Sequence, residues 1–237
     1  MRLWRDYLEQ YADREGDVEG QTIVAAYGVV EVLTCLSRML DKKARYRDII
    51  DQRIALFHEG SLHSENFLDC LINATFSIYN SLNTISHQLT DGNTEAATLI
   101  RNVDEQVHQN AKSGDPLERS AAALRASFPL LGLVTIALDH DQAMIRVIRQ
   151  VEQRFLAAAK AASSGWEHLL NALYRVVEML QIFALLMDPE LKDQINQVAA
   201  RFQEEDRAKE LGVKLRNGFC RFFELGHLLA IQVDALL

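Results

Sequence analysis

The stretch Trp166–Met187, WEHLLNALYRVVEMLQIFALLM, decides the fold class that this sequence predicts. From Val176 onward only Glu178 and Gln181 interrupt its apolar residues, so a helix formed here is apolar on nearly every side. Such a helix must be surrounded by other helices or by lipid. Its length and its interior charges are typical of the core helix of a soluble protein. The sequence therefore predicts an all-α fold.

A second stretch has the same pattern. Tyr27-Gly-Val-Val-Glu-Val-Leu33 repeats the order of residue types in Tyr174-Arg-Val-Val-Glu-Met-Leu180. We interpret the two stretches as equivalent central helices of two similar halves, residues 18–90 and 165–237, which helices over residues 93–162 join. The apolar spacing is helical throughout, without a period-two strand pattern, and it predicts a single domain with about nine to eleven helices.

Several residues mark predicted helix boundaries. The segment Asp115-Pro116-Leu117-Glu118 is a strong helix start, because Asp is favoured at the N-cap and Pro at the first helical position. Asp41 is predicted to begin the helix that Gly60 ends, and Ser64 to cap the next one. Pro129 is predicted to kink or break its helix.

The first residues of the chain predict a further helix. Over residues 2–15 the apolar side chains fall on one face of a helical projection, and Gly16 and Gly20 follow. The residues of this face are Trp4, Tyr7, Leu8 and Tyr11.

The composition is that of an ordinary soluble chain. Apolar residues make up 49% and charged residues 24% of the 237 residues, and the net charge is -8. An acidic chain does not bind nucleic acid or anionic membranes non-specifically, although a local basic patch still can. We interpret Cys35, Cys70 and Cys220, which lie in apolar runs without a CxxC motif, as buried thiols of a reducing compartment. Because the charged N-terminal stretch has no signal-peptide core, we expect a cytoplasmic protein without a membrane span.

Two Glu-x-x-His motifs, Glu105–His108 and Glu224–His227, test for a metal site. With Glu31 and Glu178 they give the ligand order of ferritin-like di-iron bundles. Glu105 lies off the apolar stripe of its helix, and Glu178 belongs to a narrow polar stripe that could face water. We therefore expect no metal, and for Glu224 with His227 an interior hydrogen bond.

Common catalytic motifs are absent from the sequence. It has no GxSxG nucleophile elbow, no glycine-rich phosphate loop and no Rossmann fingerprint. Hydrolase and nucleotide-dependent chemistries of the common kinds are therefore not expected, and no cofactor is predicted.

One segment resembles a known family. Residues 49–60, IIDQRIALFHEG, followed by Ser64-Glu-Asn-Phe-Leu, are similar to the signature segment of HEPN-domain proteins. In that family a helix ends in Arg-x-x-x-x-His, often as R-x-N-L-F-H-G, before a short polar loop and a final helix. Arg53 and His58 have this spacing. The sequence departs from the pattern at Ile54 and Ala55, where polar residues are usual, and at the glutamate that precedes Gly60.

The resemblance implies an all-α, commonly dimeric protein and, for many members, a metal-independent ribonuclease. In such a site His58 would transfer protons at the ribose and Arg53 would stabilise the phosphate charge. A basic run would hold the RNA backbone. Its residues are Lys42, Lys43, Arg45 and Arg47.

A structural interpretation fits the same residues. In it Arg53 is solvated, and His58 lies at the C-terminus of its helix, where the dipole favours a cation. The lack of a complete catalytic set favours a non-enzymatic interaction or regulatory protein, which binds a protein partner or copies of itself. The alternative is a HEPN-like ribonuclease or RNA-binding protein of the toxin or phage-defence type.

Overall fold

The structure is a computed structural model that describes residues 18–110, 112, 114–138, 144–187, 189–205 and 210–236. Over this part of the chain it contains nine α-helices, a short 3-10 helix at Pro189–Leu191 and no strand, so the predicted all-α bundle is confirmed. The helix predicted over residues 2–15 lies outside the described residues. In chain order the helices are α1 (Val18–Leu40), α2 (Arg47–His63), α3 (Phe67–Leu89), α4 (Thr94–Asn110), α5 (Pro116–Leu138), α6 (Met144–Ala161), α7 (Gly165–Met187), α8 (Lys192–Glu205) and α9 (Leu211–Leu236).

The odd-numbered helices form a closed inner ring. Helix α1 packs on α3, α3 on α5, α5 on α7, α7 on α9, and α9 on α1 again. Each even-numbered helix lies outside the ring and bridges the two inner helices that precede and follow it in the chain. The architecture is therefore two concentric layers of helices around one apolar interior.

All five inner helices run in the same direction. A Cβ atom added to Gly212, at the start of α9, would lie 3.4 Å from Val18 Cγ1, at the start of α1. One added to Gly226, further along α9, would lie 2.9 Å from Val32 Cγ1. Similarly, the start of α7 at Gly165 approaches Leu117 at the start of α5. The outer helices therefore run back, from the end of one inner helix to the start of the next.

The chain repeats with a period of 49 residues. The first four inner helices begin at residues 18, 67, 116 and 165, so successive starts are 49 residues apart, and each of these helices has 23 residues. The same spacing places one buried leucine from every inner helix around a cavity of about 40 Å³ inside the ring. These residues are Leu33, Leu82, Leu131, Leu180 and Leu229. The lining of this cavity is entirely apolar.

The caps of the inner helices follow the same period. The side chain of Asn66 accepts a hydrogen bond from Asp69 N at 3.1 Å, and that of Asp115 accepts from Leu117 N at 3.0 Å. Ser164 Oγ accepts from Glu167 N at 3.3 Å. Asn66, Asp115 and Ser164 stand 49 residues apart and satisfy donors that the first turn of a helix leaves open. The cap that the sequence suggested at Ser64 is wrong, because Ser64 Oγ donates to Gly60 O instead.

The echo between Tyr27–Leu33 and Tyr174–Leu180 is one instance of this period, since the two stretches are three periods apart. The two stretches lie in α1 and α7, which are not neighbours in the ring, because α9 packs between them. The predicted halves 18–90 and 165–237 each contribute two inner helices and one outer helix.

Three predicted helix features are wrong. Asp41 does not start α2: its carboxylate accepts from Tyr46 N, and Ala44 has a φ of 52°, which interrupts the helix before Arg47. Gly60 lies inside α2, beside Asn73. Pro129 lies inside α5 without ending it. Its ring is on the exposed side of the helix, where water can replace the missing hydrogen bond.

The cysteines are less buried than predicted. Cys35 is exposed, and Cys70 and Cys220 are half-buried. Each stands on an inner helix, but on the side that faces away from the fully buried interior. The period of the apolar residues around them did not distinguish the two sides.

Two inner helices have the length and hydropathy of membrane spans. They are α1, with a mean hydropathy of 1.6, and α7, with 1.5. In the ring α1 packs against α2, α3 and α9, and α7 packs against α5, α6, α8 and α9. Neighbouring helices therefore supply the apolar surroundings that these two helices need.

Candidate functional site

Helix α2, which carries the Arg-x-x-x-x-His segment, lies across α1 and α3 and buries Ile50 and Phe57 against them. The ring of Phe57 meets that of Tyr27 edge to face, with centroids 5.0 Å apart. Asn73 of α3 donates to the carbonyl oxygen of Phe57 at 3.0 Å. Because Asn171 donates in the same way to the carbonyl oxygen of Phe155 at 3.1 Å, this contact is a feature of the repeat.

The guanidinium of Arg53 is bound by α3. It donates to Asn83 Oδ1 at 3.0 Å, to the carbonyl oxygen of Asn80 and to Thr84 Oγ1. Burial lowers the pKa of Arg53, while the nearby carboxylate of Asp104 acts in the opposite direction. Arg53 is therefore not solvated, as the structural interpretation expected, but joins the outer helix to the inner one.

The groups around Arg53 form a polar cluster between α2, α3 and α4. Tyr79 donates to Asp104 Oδ1 at 2.7 Å, and burial together with this carboxylate raises the pKa of the phenol. His87, on α3, has a lowered pKa because burial and then the charge of Arg53 disfavour its protonated form. The cluster is a buried set of interhelical hydrogen bonds, with its members occupied by one another.

His58 lies on another side of α2. Its side chain is exposed, and its ring lies beside that of Phe57, with centroids 5.6 Å apart. Residues five positions apart on a helix point about 140° away from each other. The structure therefore does not bring Arg53 and His58 together within one chain. Nor does His58 cap a helix end, because α2 continues to His63.

The four basic residues of the proposed RNA contact are exposed and lie at and before the start of α2. Arg45 forms an ion pair with Asp91 at 2.6 Å. Lys42, Lys43 and Arg47 form no ion pair with any residue that the structure describes. Since α2 rises about 1.5 Å per residue, Arg47 begins about 16 Å along the helix from His58.

The solvent side of α2 carries an apolar stripe. Ile49 and Leu56 are 43% and 56% exposed, and they lie two helical turns apart on one line. Leu62, near the end of the helix, is 85% exposed. Three of the eight exposed large apolar residues in the described part of the chain therefore lie on this one helix. Exposed apolar side chains in a group mark a contact surface more often than a single one does.

The second Glu-x-x-His motif lines an open cleft between α8 and α9. Glu224 forms an ion pair with Arg201 at 2.9 Å, and His227 stacks on Phe223 with centroids 6.2 Å apart. The expected interior hydrogen bond between Glu224 and His227 is wrong, since His227 is exposed. The cleft has a volume of about 370 Å³. Its remaining residues are Gln194, Gln197, Val198 and Leu228.

The other metal candidates are also separated. Glu105 and His108 are exposed, as Glu105 was expected to be. The polar stripe of α7 does not face water: Glu178 forms an ion pair with Arg154 of α6, and Arg175 lies 3.4 Å from Glu152 of α6. In the part of the chain that the structure describes, no group of three or more histidine, cysteine or acidic side chains could hold a metal ion.

Sequence reasoning missed the stripe on α2, because Ile49 was assigned to its buried face together with Ile50, Ile54 and Phe57. In a 3.6-residue period Ile49 lies about 100° from Ile50, which is enough to separate the two faces. The spacing of Ile49 and Leu56 is the signal that could have found the stripe.

Comparison with known protein families, with curated proteins and with solved structures found no match for this chain.

Proposed function

We propose that this protein is a non-catalytic, cytoplasmic interaction protein that binds a second copy of itself through the solvent side of α2. The observation that carries the proposal is the stripe of Ile49 and Leu56, which is continued by Leu62 near the end of the helix. Burying such residues against a partner removes apolar surface from water, at about 25 cal/mol per Å². A symmetric dimer uses the same surface on both copies.

Charge supports an antiparallel pairing of the two α2 helices. The end before α2 is basic, through Lys42 and Lys43, while the end after its middle is acidic, through Glu59 and Glu65, and all four are exposed. In an antiparallel pair centred between Ile49 and Leu56, the basic end of each copy faces the acidic end of the other. Ile49 of one copy then lies beside Leu56 of the second.

The test is the mass of the particle in solution. We expect sedimentation velocity to show a dimer that dissociates on dilution, and Leu56→Asp to be monomeric at concentrations at which the unchanged chain is dimeric. Leu99→Asp is the matched control, because Leu99 is 52% exposed on another outer helix, α4. A monomer at all concentrations, or equal dissociation by both variants, would contradict the proposal.

A charge exchange tests the orientation. Lys42→Glu with Lys43→Glu should weaken the dimer, because four like charges then meet at each end of the pair. Combining them with Glu59→Lys and Glu65→Lys should restore it. If the combined variant is no tighter than the first one, the antiparallel arrangement is wrong although a dimer can remain.

The HEPN-like alternative, RNA cleavage by Arg53 and His58, is tested on the same protein. It requires that the chain cleaves single-stranded RNA without metal and that His58→Ala abolishes cleavage. Since His58 is exposed, this variant should fold normally. Equal or absent cleavage by the two proteins rejects the alternative and leaves the interaction function.

A further inference from the structure

The outer layer has one open position. Four of the five neighbouring pairs of inner helices are bridged by an outer helix, namely α2, α4, α6 or α8. None of the four contacts both α9 and α1, although these two inner helices pack closely on each other. We call the outward-facing furrow between them the α9–α1 groove.

Apolar side chains line this groove. Val32, which Gly226 approaches, is half-buried, and Cys35, three residues later on α1, is exposed. On α9, Phe223 is half-buried and Ile231 is 52% exposed. At the other positions in the ring, residues of this kind are covered by an outer helix, as Phe57 covers Tyr27.

The period identifies what fits the groove. One period before Arg47–His63, the helix α2, lie the residues up to 14. Leu8 then corresponds to Phe57, and Trp4 and Tyr11 correspond to Arg53 and Gly60 on the side of α2 that faces the ring. The apolar face that the sequence predicts over residues 2–15 is thus in register with the inward face of an outer helix.

We propose that residues 1–14 occupy the α9–α1 groove as the fifth outer helix. The segment has the length of the other outer helices, which contain 14 to 18 residues, and it leads directly to the start of α1 at Val18. With four periods separating α1 from α9, Phe223 stands where Tyr27 stands on α1, so Leu8 packs on Phe223 as Phe57 packs on Tyr27.

Charge agrees with this register. Arg38 of α1 forms an ion pair with Asp51 of α2 at 2.8 Å. The corresponding residues at the open position are Asp234 of α9 and Arg2, so the pair recurs with its charges exchanged. The proposal does not depend on self-association through α2, which lies elsewhere on the outer layer.

A double-mutant cycle on the full chain tests the contact. Unfolding in urea is measured for Leu8→Ala, for Phe223→Ala and for the double variant. We expect Leu8→Ala to raise the unfolding equilibrium constant on the order of thirtyfold. The double variant should raise it by about fivefold less than the product of the two single effects, because the two side chains share one contact.

Gln10→Ala is the control, since Gln10 corresponds to the exposed Glu59 of α2. It should leave the equilibrium constant within about twofold and multiply independently with Phe223→Ala. Hydrogen exchange of the unchanged protein gives a second measurement, in which the amides of residues 5–12 should be protected. An effect of Leu8→Ala no larger than that of Gln10→Ala, independent effects at Leu8 and Phe223, or unprotected amides would overturn the proposal.

Discussion

Leu33 and Leu229 are separated by four periods of 49 residues, and both line the apolar cavity inside the ring. The one leucine stands on the first inner helix and the other on the last, and the two helices pack on each other to close the ring. A repeated sequence position has thus become a layer of one leucine per helix. This layer holds the five inner helices at a common height.

The first prediction concerns this layer. Leu82→Ala should lower the free energy of unfolding by about 2 to 5 kcal/mol, because the lost side chain enlarges a cavity that is already apolar. Urea denaturation followed by circular dichroism measures the change. Leu99→Ala, at an exposed position of α4, should alter it by less than about 0.5 kcal/mol. Equal effects at the two sites would mean that the leucine layer does not stabilise the ring.

Two glycines within helices should respond in opposite ways to alanine. A Cβ at Gly60 would lie 2.4 Å from Asn73 Oδ1, so Gly60→Ala must displace the side chain that joins α3 to α2 and should destabilise the protein. The nearest atom to a Cβ at Gly132 is Ile148 Cγ2, at 3.9 Å. Gly132→Ala should therefore stabilise the protein by about 0.5 to 1 kcal/mol, through helix propensity. Thermal unfolding of the two variants measures both signs, and a stabilised Gly60→Ala would contradict the close approach.

Arg53 and His58 should differ sharply in their effect on stability. Arg53→Met leaves the buried oxygens of Asn80 and Asn83 without their donor, and it should cost about 1 to 3 kcal/mol. His58→Ala, on the exposed side of the same helix, should change the free energy of unfolding by less than about 0.5 kcal/mol. Chemical denaturation of the two variants tests this difference. The reverse order would show that Arg53 is free for a role at the surface.

The protein should lose stability below about pH 6.5, the usual pKa of histidine, because of His87. Burial lowers the pKa of His87 in the fold, so between the unfolded and the folded pKa the unfolded chain binds more protons. Stability is then fully present above the unfolded pKa and falls as the pH drops toward the folded pKa.

Urea denaturation at pH 7.5 and pH 5.5 measures this loss. The charge of Arg53 adds to the effect and the carboxylate of Asp104 opposes it. In His87→Asn the difference between the two pH values should shrink. An unchanged pH dependence in that variant would assign the loss to other groups.

The helices could be predicted from the sequence, but their ring could not. Helical spacing, together with caps such as Asp115, placed most of the helices within a few residues, because each cap satisfies donors locally. The period of 49 residues was visible only as one echo, three periods long. Its recurring leucines are the commonest apolar type and are hidden among others, and only the fold shows that they share a layer.

The candidate site was less accessible to sequence reasoning. Glu178 was expected to face water, yet it pairs with Arg154, because an outer helix covers what looks like the wet edge of an inner one. The spacing of Arg53 and His58 was read along the chain, whereas the helical turn sends one side chain into α3 and leaves the other exposed. A motif on an outer helix needs the identity of its neighbours before its chemistry can be assigned.

The common direction of the inner helices also has an electrostatic consequence. Each helix carries about half an elementary charge at its ends, positive at the start and negative at the end. Five inner helices are opposed by four described outer ones, which leaves the partial charge of one helix uncompensated, negative at the end of the ring where α1 leads into Lys42 and Lys43. This loop therefore supplies cations where the summed dipole favours them, and a fifth outer helix would neutralise the dipole and leave the lysines as a net positive rim.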